Sequence, residues 1–258
     1  MKSLKVLACA ACLVGTISGV GFAKDVQTIA GTMVVPNNVT VVSASKTNTR
    51  DFVEKQLNEN PSKSSMANMM AKEFFQNFGT NFDVYQLQGS DKTGQKDAFV
   101  VAVDVKQVAQ QVAKDKASDP MFVAAMAALD KGQIDPVTEQ LMLGAINKQI
   151  PTTTTVVPLN NPTRYAHLKT QSGKPMVQAR TLTIENAEQV HPVAGAKYQT
   201  YAASSRLLYT DGDVQTPIYA NAAFVLKPGK PVLYVGVTSD VQRDYFKTIF
   251  DNAFKSIK

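Results

Sequence analysis

The sequence predicts an α+β fold: a central antiparallel sheet with an amino-terminal and a carboxy-terminal helix packed on it and a helical insertion. Three observations predict it. Short apolar runs separated by turn residues follow one another in the carboxy-terminal half, as in successive antiparallel strands. The last residues carry an apolar stripe at helical spacing, and residues 106–150 show helical patterns with almost no strand signal.

The carboxy-terminal unit, residues 217–258, is predicted to be two strands and a closing helix. An apolar run at 218–226 is followed by Lys227-Pro228-Gly229-Lys230, in which proline suits the second turn position and glycine the third. A second apolar run returns at 232–237. Ser239 and Gln242 have the spacing of a capping box. The helical stripe that should cover the sheet consists of Phe246, Ile249, Phe250, Ala253 and Ile257.

Residues 1–23 have the pattern of a signal peptide. Lys2 and Lys5 precede an apolar segment over 6–20, and the small residue Ala23 suits a signal peptidase. We therefore predict export through the bacterial general secretory route, to the periplasm or the cell surface and extracellular space. The apolar segment is too short to span a bilayer, so we expect no transmembrane span after cleavage.

The mature chain is predicted to be a single domain, residues 24–258. Removing 23 residues from 258 leaves 235, enough to bury a substantial core. Cys9 and Cys12 both lie in the signal segment, which excludes disulfides and thiolate chemistry from the mature chain. Its 25 basic residues against 21 acidic ones give a charge of +4, with the lysines scattered, so no nucleic-acid partner is expected.

The amino-terminal part predicts two strands and a helix. Strands are expected at 28–35 and 39–43, about the turn Pro36-Asn37-Asn38. A helix should follow, because Met66, Met70, Phe74 and Phe78 recur at helical spacing. A methionine-rich stripe of this kind suits either the core or a groove for a partner, and the spacing favours the core.

The next strands are predicted at 82–88 and 98–103. The residues between them, 89–96, are rich in glycine and polar side chains and favour a turn. The second run is apolar at every position, which is typical of a strand covered on both faces. We therefore expect 98–103 in the middle of the sheet.

The block at 106–150 is predicted to be a helical insertion. Helices are expected over 105–116, 120–131 and 136–149, the last two each opening on an Asp-Pro pair in which aspartate caps and proline takes the first helical position. The insertion could be a lid over a pocket or a space-filling subdomain; packing alone favours the second. If it covers an apolar ligand, the candidate binding residues are Phe122, Met126, Leu141 and Ile146.

The carboxy-terminal half is predicted to be a meander of about five strands. Ser172-Gly173 separates a strand at 165–170 from one at 176–184. Asp211-Gly212-Asp213 separates a strand at 198–209 from the run at 218–226. Short turns of this composition join neighbouring antiparallel strands.

This order of elements resembles the PsbP-like α/β/α sandwich family. The resemblance covers an amino-terminal strand pair around a proline, a helix, a central antiparallel sheet and a final strand followed by a helix. Residues 245–257, YFKTIFDNAFKSI, look like the closing helix of that family. The resemblance implies an exported accessory or binding domain, usually without catalysis of its own.

One group of motifs suggests a penicillin-recognising serine hydrolase. Ser43-Ala44-Ser45-Lys46 fits S-x-x-K, Tyr219-Ala220-Asn221 fits Y-x-N, and Lys92-Thr93-Gly94 fits K-T-G. The chemistry requires the serine and lysine on one face of a helix, yet Ser43 ends a β-branched run. The two histidines, His167 and His191, lack a second ligand at metal spacing.

The sequence therefore predicts an exported, non-catalytic binding or accessory domain of the bacterial cell envelope. Its partner would be an envelope protein or an apolar small molecule, with no cofactor and no metal. One alternative is a carrier that holds an apolar ligand between the sheet and the helical insertion. The other is the serine hydrolase, which the context of its motifs disfavours.

Overall fold

A computed structural model describes residues 23–29, 31–43, 82–112, 120–159, 171–173 and 180–258. The predicted signal peptide up to residue 22, the predicted helix of Met66 to Phe78, the predicted strand at 165–170 and His167 lie outside these residues.

Strands dominate the described residues, with 50% strand and 26% helix. The strands are β1 Ala23–Thr28, β2 Gly31–Pro36, β3 Thr40–Ser43, β4 Phe82–Asp91, β5 Gly94–Asp104, β6 Thr155–Leu159, β7 Arg180–Glu185, β8 His191–Pro192, β9 Thr200–Asp211, β10 Val214–Val225 and β11 Val232–Ser239. The helices are α1 Val105–Val112, α2 Pro120–Lys131, α3 Pro136–Gln149 and α4 Arg243–Lys255, with a 3₁₀ turn at Asp240–Gln242.

Nine of these strands form one antiparallel sheet. Its order is β3-β4-β5-β11-β10-β9-β7-β6, with the short β8 also pairing with β9. The hairpin β1–β2 forms a separate two-stranded sheet. At the centre, β5 pairs with β11 from Ala98↔Thr238 to Asp104↔Val232, which joins the two halves of the chain.

The predicted α+β class, with helices of both termini and an insertion packed on the sheet, is wrong. The described chain is mostly β: one large antiparallel sheet covered by a single carboxy-terminal helix. The physical reason is the length of the hairpins. Strands β9 and β10 have 12 residues each, and β4 and β5 have 10 and 11. Of the 14 residues of α3 none is buried, so this helix adds nothing to the core.

The predicted turns at Gly212 and Gly229 and the predicted inner position of β5 are confirmed. Strands β9 and β10 pair along their whole length about Gly212, which has φ 61°. The turn after β10 has Gly229 at φ 72°, and the Lys230 N–H donates to the Lys227 carbonyl at 2.9 Å. Strand β5 is an inner strand of the sheet, as its uniformly apolar run predicts.

Two predictions are wrong, one about the strands around Pro36 and one about the capping box of Ser239 and Gln242. The strands on either side of Pro36 do not belong together: β2 pairs with β1, whereas β3 pairs with β4 in the large sheet. Ser239 makes no capping hydrogen bond through its side chain. Gln242 Oε1 instead accepts from the Asp97 N–H at 2.9 Å. The Gln242 side chain therefore links the segment before α4 to β5 and does not complete a capping box.

One face of the sheet, here the core face, carries the main core. It is the face of Val100, Tyr234 and Ala223, and α4 and the β1–β2 hairpin cover it. All five residues of the predicted helical stripe are buried. The rings of Phe246, Phe250 and Phe254 stack along α4 with centroids 5.7 and 5.9 Å apart.

The end of the chain binds the β1–β2 hairpin to this layer. The Lys258 N–H donates to the Thr32 carbonyl at 3.1 Å, and the Thr32 N–H donates to Lys258 O at 3.2 Å. The Val34 N–H donates to Ser256 Oγ at 2.8 Å. These bonds place the small sheet against α4, so helix and hairpin form one cover.

The close approach of α4 to the sheet gives a stability prediction at Gly236. A Cβ at this position would lie 2.7 Å from the ring of Phe250, which is fully buried. We expect Gly236→Ala to lower the free energy of unfolding by about 1–3 kcal/mol through overpacking. Urea unfolding measures this.

The matched control for that variant is Gly144→Ala. Gly144 lies in α3, and a Cβ there would meet nothing within 4 Å. Because alanine is the better helix former, we expect a change between zero and about 1 kcal/mol of stabilisation. Equal stability of Gly236→Ala and the unmodified protein would contradict the described packing of α4.

Candidate functional site: an apolar groove under α3

The face of the sheet opposite the core face, here the groove face, is apolar near its centre. Side chains alternate between faces along a strand, so Ala222 and Phe224 point away from α4 while Ala223 points toward it. Tyr201, Phe224 and Leu233 are register partners across β9, β10 and β11. The next row is formed by smaller residues, because Ala203 pairs with Ala222. The two alanines leave a hollow beside the large side chains.

Helix α3 forms the roof of this hollow. The helix begins where Asp135 accepts hydrogen bonds from the Val137 and Thr138 N–H groups, at 3.1 and 3.0 Å, with Pro136 at the first helical position. Its side toward the sheet carries Met142, Leu143 and Ile146. These positions put the three side chains on one helical face.

A pair of amide side chains fixes α3 at its two ends. At the first end, Ile134 donates its N–H to Gln199 Oε1 at 2.8 Å, and Gln199 Nε2 donates to the Ile134 carbonyl at 3.2 Å. At the other end, the Val190 N–H donates to Asn147 Oδ1 at 2.7 Å, and Asn147 Nδ2 donates to the Val190 carbonyl at 3.0 Å. Each side chain thus makes two hydrogen bonds to the backbone of one residue, one to its N–H and one to its carbonyl. We call these two contacts the amide clamps.

The link before α3 is also tied to the sheet. Gly132 has φ 66°, and a Cβ there would lie 2.6 Å from the nitrogen of Pro228. The Gly229 N–H donates to the Asp130 carbonyl at 3.0 Å, and the Asp130 carboxylate pairs with Lys106. The end of α2 is therefore held against the β10–β11 turn.

Between roof and floor lies a groove of about 230 Å³. Its wall is almost entirely alkyl and aromatic. The helix is attached at its ends, while its middle makes little contact with the sheet. The lining residues are Ile134, Glu139, Met142, Leu143, Ile146, Val190, Tyr201, Ala202, Ala203, Ala222, Phe224 and Leu233.

Two of these residues carry polar groups, Glu139 and Tyr201. The Glu139 carboxylate accepts from Gln199 Nε2 at 3.3 Å. The Tyr201 hydroxyl is buried without a hydrogen-bond partner of good geometry among the described residues. Burial first, and the charge of Glu139 second, raise the pKa of Tyr201 above its ordinary value, so the phenol stays protonated.

The four predicted ligand-binding residues lie in different places. Ile146 is on the groove wall. Leu141 is 70% exposed on the outer side of α3. Met126 is half-buried in α2 and does not line the groove, and the backbone of Phe122 lies in α2 with its side chain outside the described part.

The side of α3 that faces the sheet is not the side that carries the predicted binding residue Leu141. It runs through Glu139, Met142, Leu143 and Ile146, at i, i+3, i+4 and i+7. The charged Glu139 at its first position hides this pattern from a search for apolar residues. The outer positions Val137 and Leu141, both 70% exposed, give the more obvious apolar pattern.

A second, polar hollow of about 230 Å³ lies on the core face beside α4. Three of its polar side chains are bonded to one another: Asn221 Nδ2 donates to Asp251 Oδ1 at 2.7 Å, and Lys247 Nζ donates to Asp251 Oδ2 at 3.2 Å. Burial opposes the charge of Lys247, but the hydrogen bond to Asp251 and neighbouring negative groups raise its pKa overall. His191, exposed in β8, borders this hollow.

The structure does not bring the serine-hydrolase motifs together. Ser43 ends β3, and Asn221 lies in β10, four strands away in the sheet, which is about 19 Å at ordinary strand spacing. Lys92 and Thr93 form the turn between β4 and β5. Lys46 lies outside the described residues.

Within the described ranges, no group of three or more His, Cys, Asp or Glu side chains is placed to hold a metal ion. No helix in those ranges combines the length and apolarity needed to cross a membrane.

No protein-family model matches this chain, and none of the curated proteins shows significant similarity to it. The resemblance to PsbP-like domains stays a prediction.

The amide clamps give a prediction about α3. Asn147→Ala removes both hydrogen bonds to the Val190 backbone, so the carboxy-terminal end of α3 should open more readily, by about 1 kcal/mol. Hydrogen exchange should show faster exchange of the α3 amides and unchanged protection in β10. Lys148→Ala, an exposed neighbour, is the control and should leave the exchange unchanged. Unaltered α3 exchange in Asn147→Ala would contradict the clamp.

The cap of α3 gives a pH prediction. Hydrogen bonds from the hydroxyl and backbone N–H of Thr138 hold the pKa of Asp135 below its ordinary value. A carboxyl group whose pKa is lower in the folded state stabilises that state at pH values above its unfolded pKa of about 4. This stabilisation is lost as the pH falls through the folded-state pKa. Protection of α3 amides should therefore fall below about pH 4. Asp135→Asn, which keeps an acceptor without a titrating charge, should flatten this dependence; an identical pH profile would count against it.

Proposed function

We propose that this protein is an exported, non-catalytic binding domain of the bacterial cell envelope that carries an apolar ligand in the groove under α3. The observation that supports it best is the apolar groove between the sheet and α3, with Ile146 on its roof and Phe224 and Leu233 on its floor. Ligand pockets are concave and mainly apolar, with a few placed polar groups, and this groove has that composition.

The state of the roof supports the same proposal. Met142 and Ile146 line the groove yet are each 42% exposed. An apolar ligand in the groove would remove these side chains from water together with those of the floor. Burial of apolar surface contributes about 25 cal/mol per Å², so such a ligand gains affinity from both walls.

The attachment of α3 also suits a carrier. The amide clamps hold the helix ends, and hydrogen bonds of this kind fix orientation without filling the space between. The side chains of a helix held at its ends can adapt to ligands of different shape while its backbone stays in place.

The proposed export and non-catalytic role rest on the sequence: the signal-peptide pattern of residues 1–23, and motifs whose context does not suit a serine enzyme.

The proposal predicts binding of a neutral apolar dye, and Nile red is a suitable probe. Ile146→Gln places an amide in the groove wall and should weaken Nile red binding about tenfold, as measured by fluorescence titration. Leu141→Gln makes the same kind of change on the outer side of α3 and should leave binding unchanged.

A floor variant tests the same site independently of the roof. Ala222→Phe fills the hollow between the two alanines and should abolish Nile red binding while circular dichroism shows the sheet intact. If the unmodified protein does not bind Nile red, or if Leu141→Gln weakens binding as much as Ile146→Gln, the groove is not the binding site and the proposal fails.

A further inference from the structure

The polar hollow beside α4 is separate from the apolar groove, since it lies on the core face of the sheet. Four parts of the chain form it: the segment around β8, the strands β9 and β10, and the helix α4. A cavity needs only about 10–15 Å³ of such space to hold one water molecule. The hollow, at about 230 Å³, therefore has room for a small organic molecule.

Asn221 is the buried polar residue of this wall. It is 2% exposed and lies between Tyr219 and Ala223 on the core face of β10. Its Nδ2 donates to Asp251 Oδ1, and because a carboxylate only accepts, this bond fixes the orientation of the amide. The carbonyl oxygen, Oδ1, has no hydrogen-bond partner among the described residues. An unpaired carbonyl on a buried side chain is costly, so Oδ1 is an acceptor that a molecule in the hollow would satisfy.

Three further side chains of the wall accept hydrogen bonds. His191 Nδ1 lies 3.1 Å from the Gln189 carbonyl, which only accepts, so Nδ1 carries the proton and Nε2 of the neutral ring is an acceptor. The Glu188 carboxylate has no ion pair within 4 Å among the described residues. Each oxygen of Asp251 accepts one bond and keeps a further lone pair. Lys247 supplies donors, so the wall is rich in acceptors and has few donors.

The charged groups around the hollow balance one another. Glu188 and Asp251 are carboxylates on its wall, and Lys247 is an ammonium group beside them. The ammonium group of Lys255 lies close by, since a Cβ at Gly195 would be 3.1 Å from its Nζ. A charged ligand of either sign would be attracted by two of these groups and repelled by the other two. The wall therefore selects a ligand by hydrogen bonds and not by charge.

The rest of the wall is apolar. Pro192, Val193 and Ala202 contribute alkyl groups to it. Pockets that combine an apolar surface with a few convergent polar groups bind small molecules with both kinds of surface. A sugar ring has this construction, because its hydroxyl groups donate and accept hydrogen bonds at the rim while its C–H groups form an apolar face.

From this arrangement we infer that the hollow beside α4 binds a neutral sugar ring of the hexose class. Hydroxyl groups of the sugar donate to Asn221 Oδ1, to the Glu188 carboxylate and to His191 Nε2, and one accepts from Lys247. The site is a second one, hydrophilic and on the other face of the sheet from the apolar groove, and it does not depend on the ligand of that groove. Both a free sugar and one unit of a polysaccharide have this chemistry.

The test is a nuclear magnetic resonance titration of the full, isotope-labelled protein, read at the side-chain NH₂ signal of Asn221. The probes are three neutral hexoses (glucose, galactose and mannose), the anionic sugar glucuronate, and cyclohexanol, a ring with one hydroxyl. At least one hexose should bind with a dissociation constant of about 1–10 mM, because an open hollow gives few contacts. Cyclohexanol should bind about tenfold more weakly. Glucuronate should gain no advantage from its charge, and salt should not change its affinity relative to glucose.

Two variants locate the sugar. Asn221→Leu removes the free carbonyl and should weaken hexose binding about tenfold. Because it also removes the bond to Asp251, the exposed Glu188→Ala provides an independent variant, which should weaken binding about fivefold, read at the Asn221 signal. Asp244→Ala removes a carboxylate of α4 that is 97% exposed and outside the hollow, and it should leave binding unchanged. Circular dichroism confirms that each variant is folded.

The outcomes decide both the site and the source of the sugar. If no hexose shifts the Asn221 signal up to roughly 50 mM, the hollow holds water only and the inference fails. It also fails if cyclohexanol binds as well as the hexoses, if glucuronate binds tightest with a strong salt dependence, or if Asp244→Ala weakens binding as much as Glu188→Ala. With the site supported, tighter binding of maltohexaose than of glucose indicates a polysaccharide unit, and equal binding indicates a free sugar. Nile red binding in the apolar groove is measured separately, so either proposal can fail while the other stands.

Discussion

The packing of α4 on the core face is the interaction on which the rest of this structure depends. Three phenylalanine rings stacked along the helix lie fully or almost fully buried against β10 and β11. Gly236 permits this approach, because any larger residue would meet the ring of Phe250. Burial of large aromatic side chains is among the strongest contributions to a core, and residues 13–258 contain no cysteine, so no disulfide there can replace it.

The occupation of one face determines what the other face can do. Because α4 and the β1–β2 hairpin cover the core face, α3 meets the sheet on the groove face. Apolar side chains of the central strands point in both directions, as in a sheet covered on both sides. The cover on the second side is incomplete near Ala203 and Ala222, and the groove is the result.

Helix α3 and the end of α2 differ from a core layer in how they are held. Their attachment relies on directional contacts: the amide clamps at Gln199 and Asn147, the close approach at Gly132, and the ion pair of Lys106 with Asp130. Directional bonds at the ends of α3 specify its position, whereas none of its residues is buried against the sheet. This division explains how a helix with no buried residue keeps a defined place over the sheet.

The sequence by itself determined the local structure. Turn chemistry placed the bends at Gly212 and Gly229, the Asp135-Pro136 pair placed the start of α3, and helical spacing identified the buried side of α4, because each of these depends on residues close together in the chain. The tertiary structure alone decided the long-range features. The pairing of β5 with β11 joins residues more than a hundred positions apart, and no local pattern selects it over other apolar strands. The same holds for the groove: which side of α3 faces the sheet depends on where Gln199 and Val190 lie in space. Glu139 therefore sits on the inner side and Leu141 in water, the reverse of what their polarity suggests.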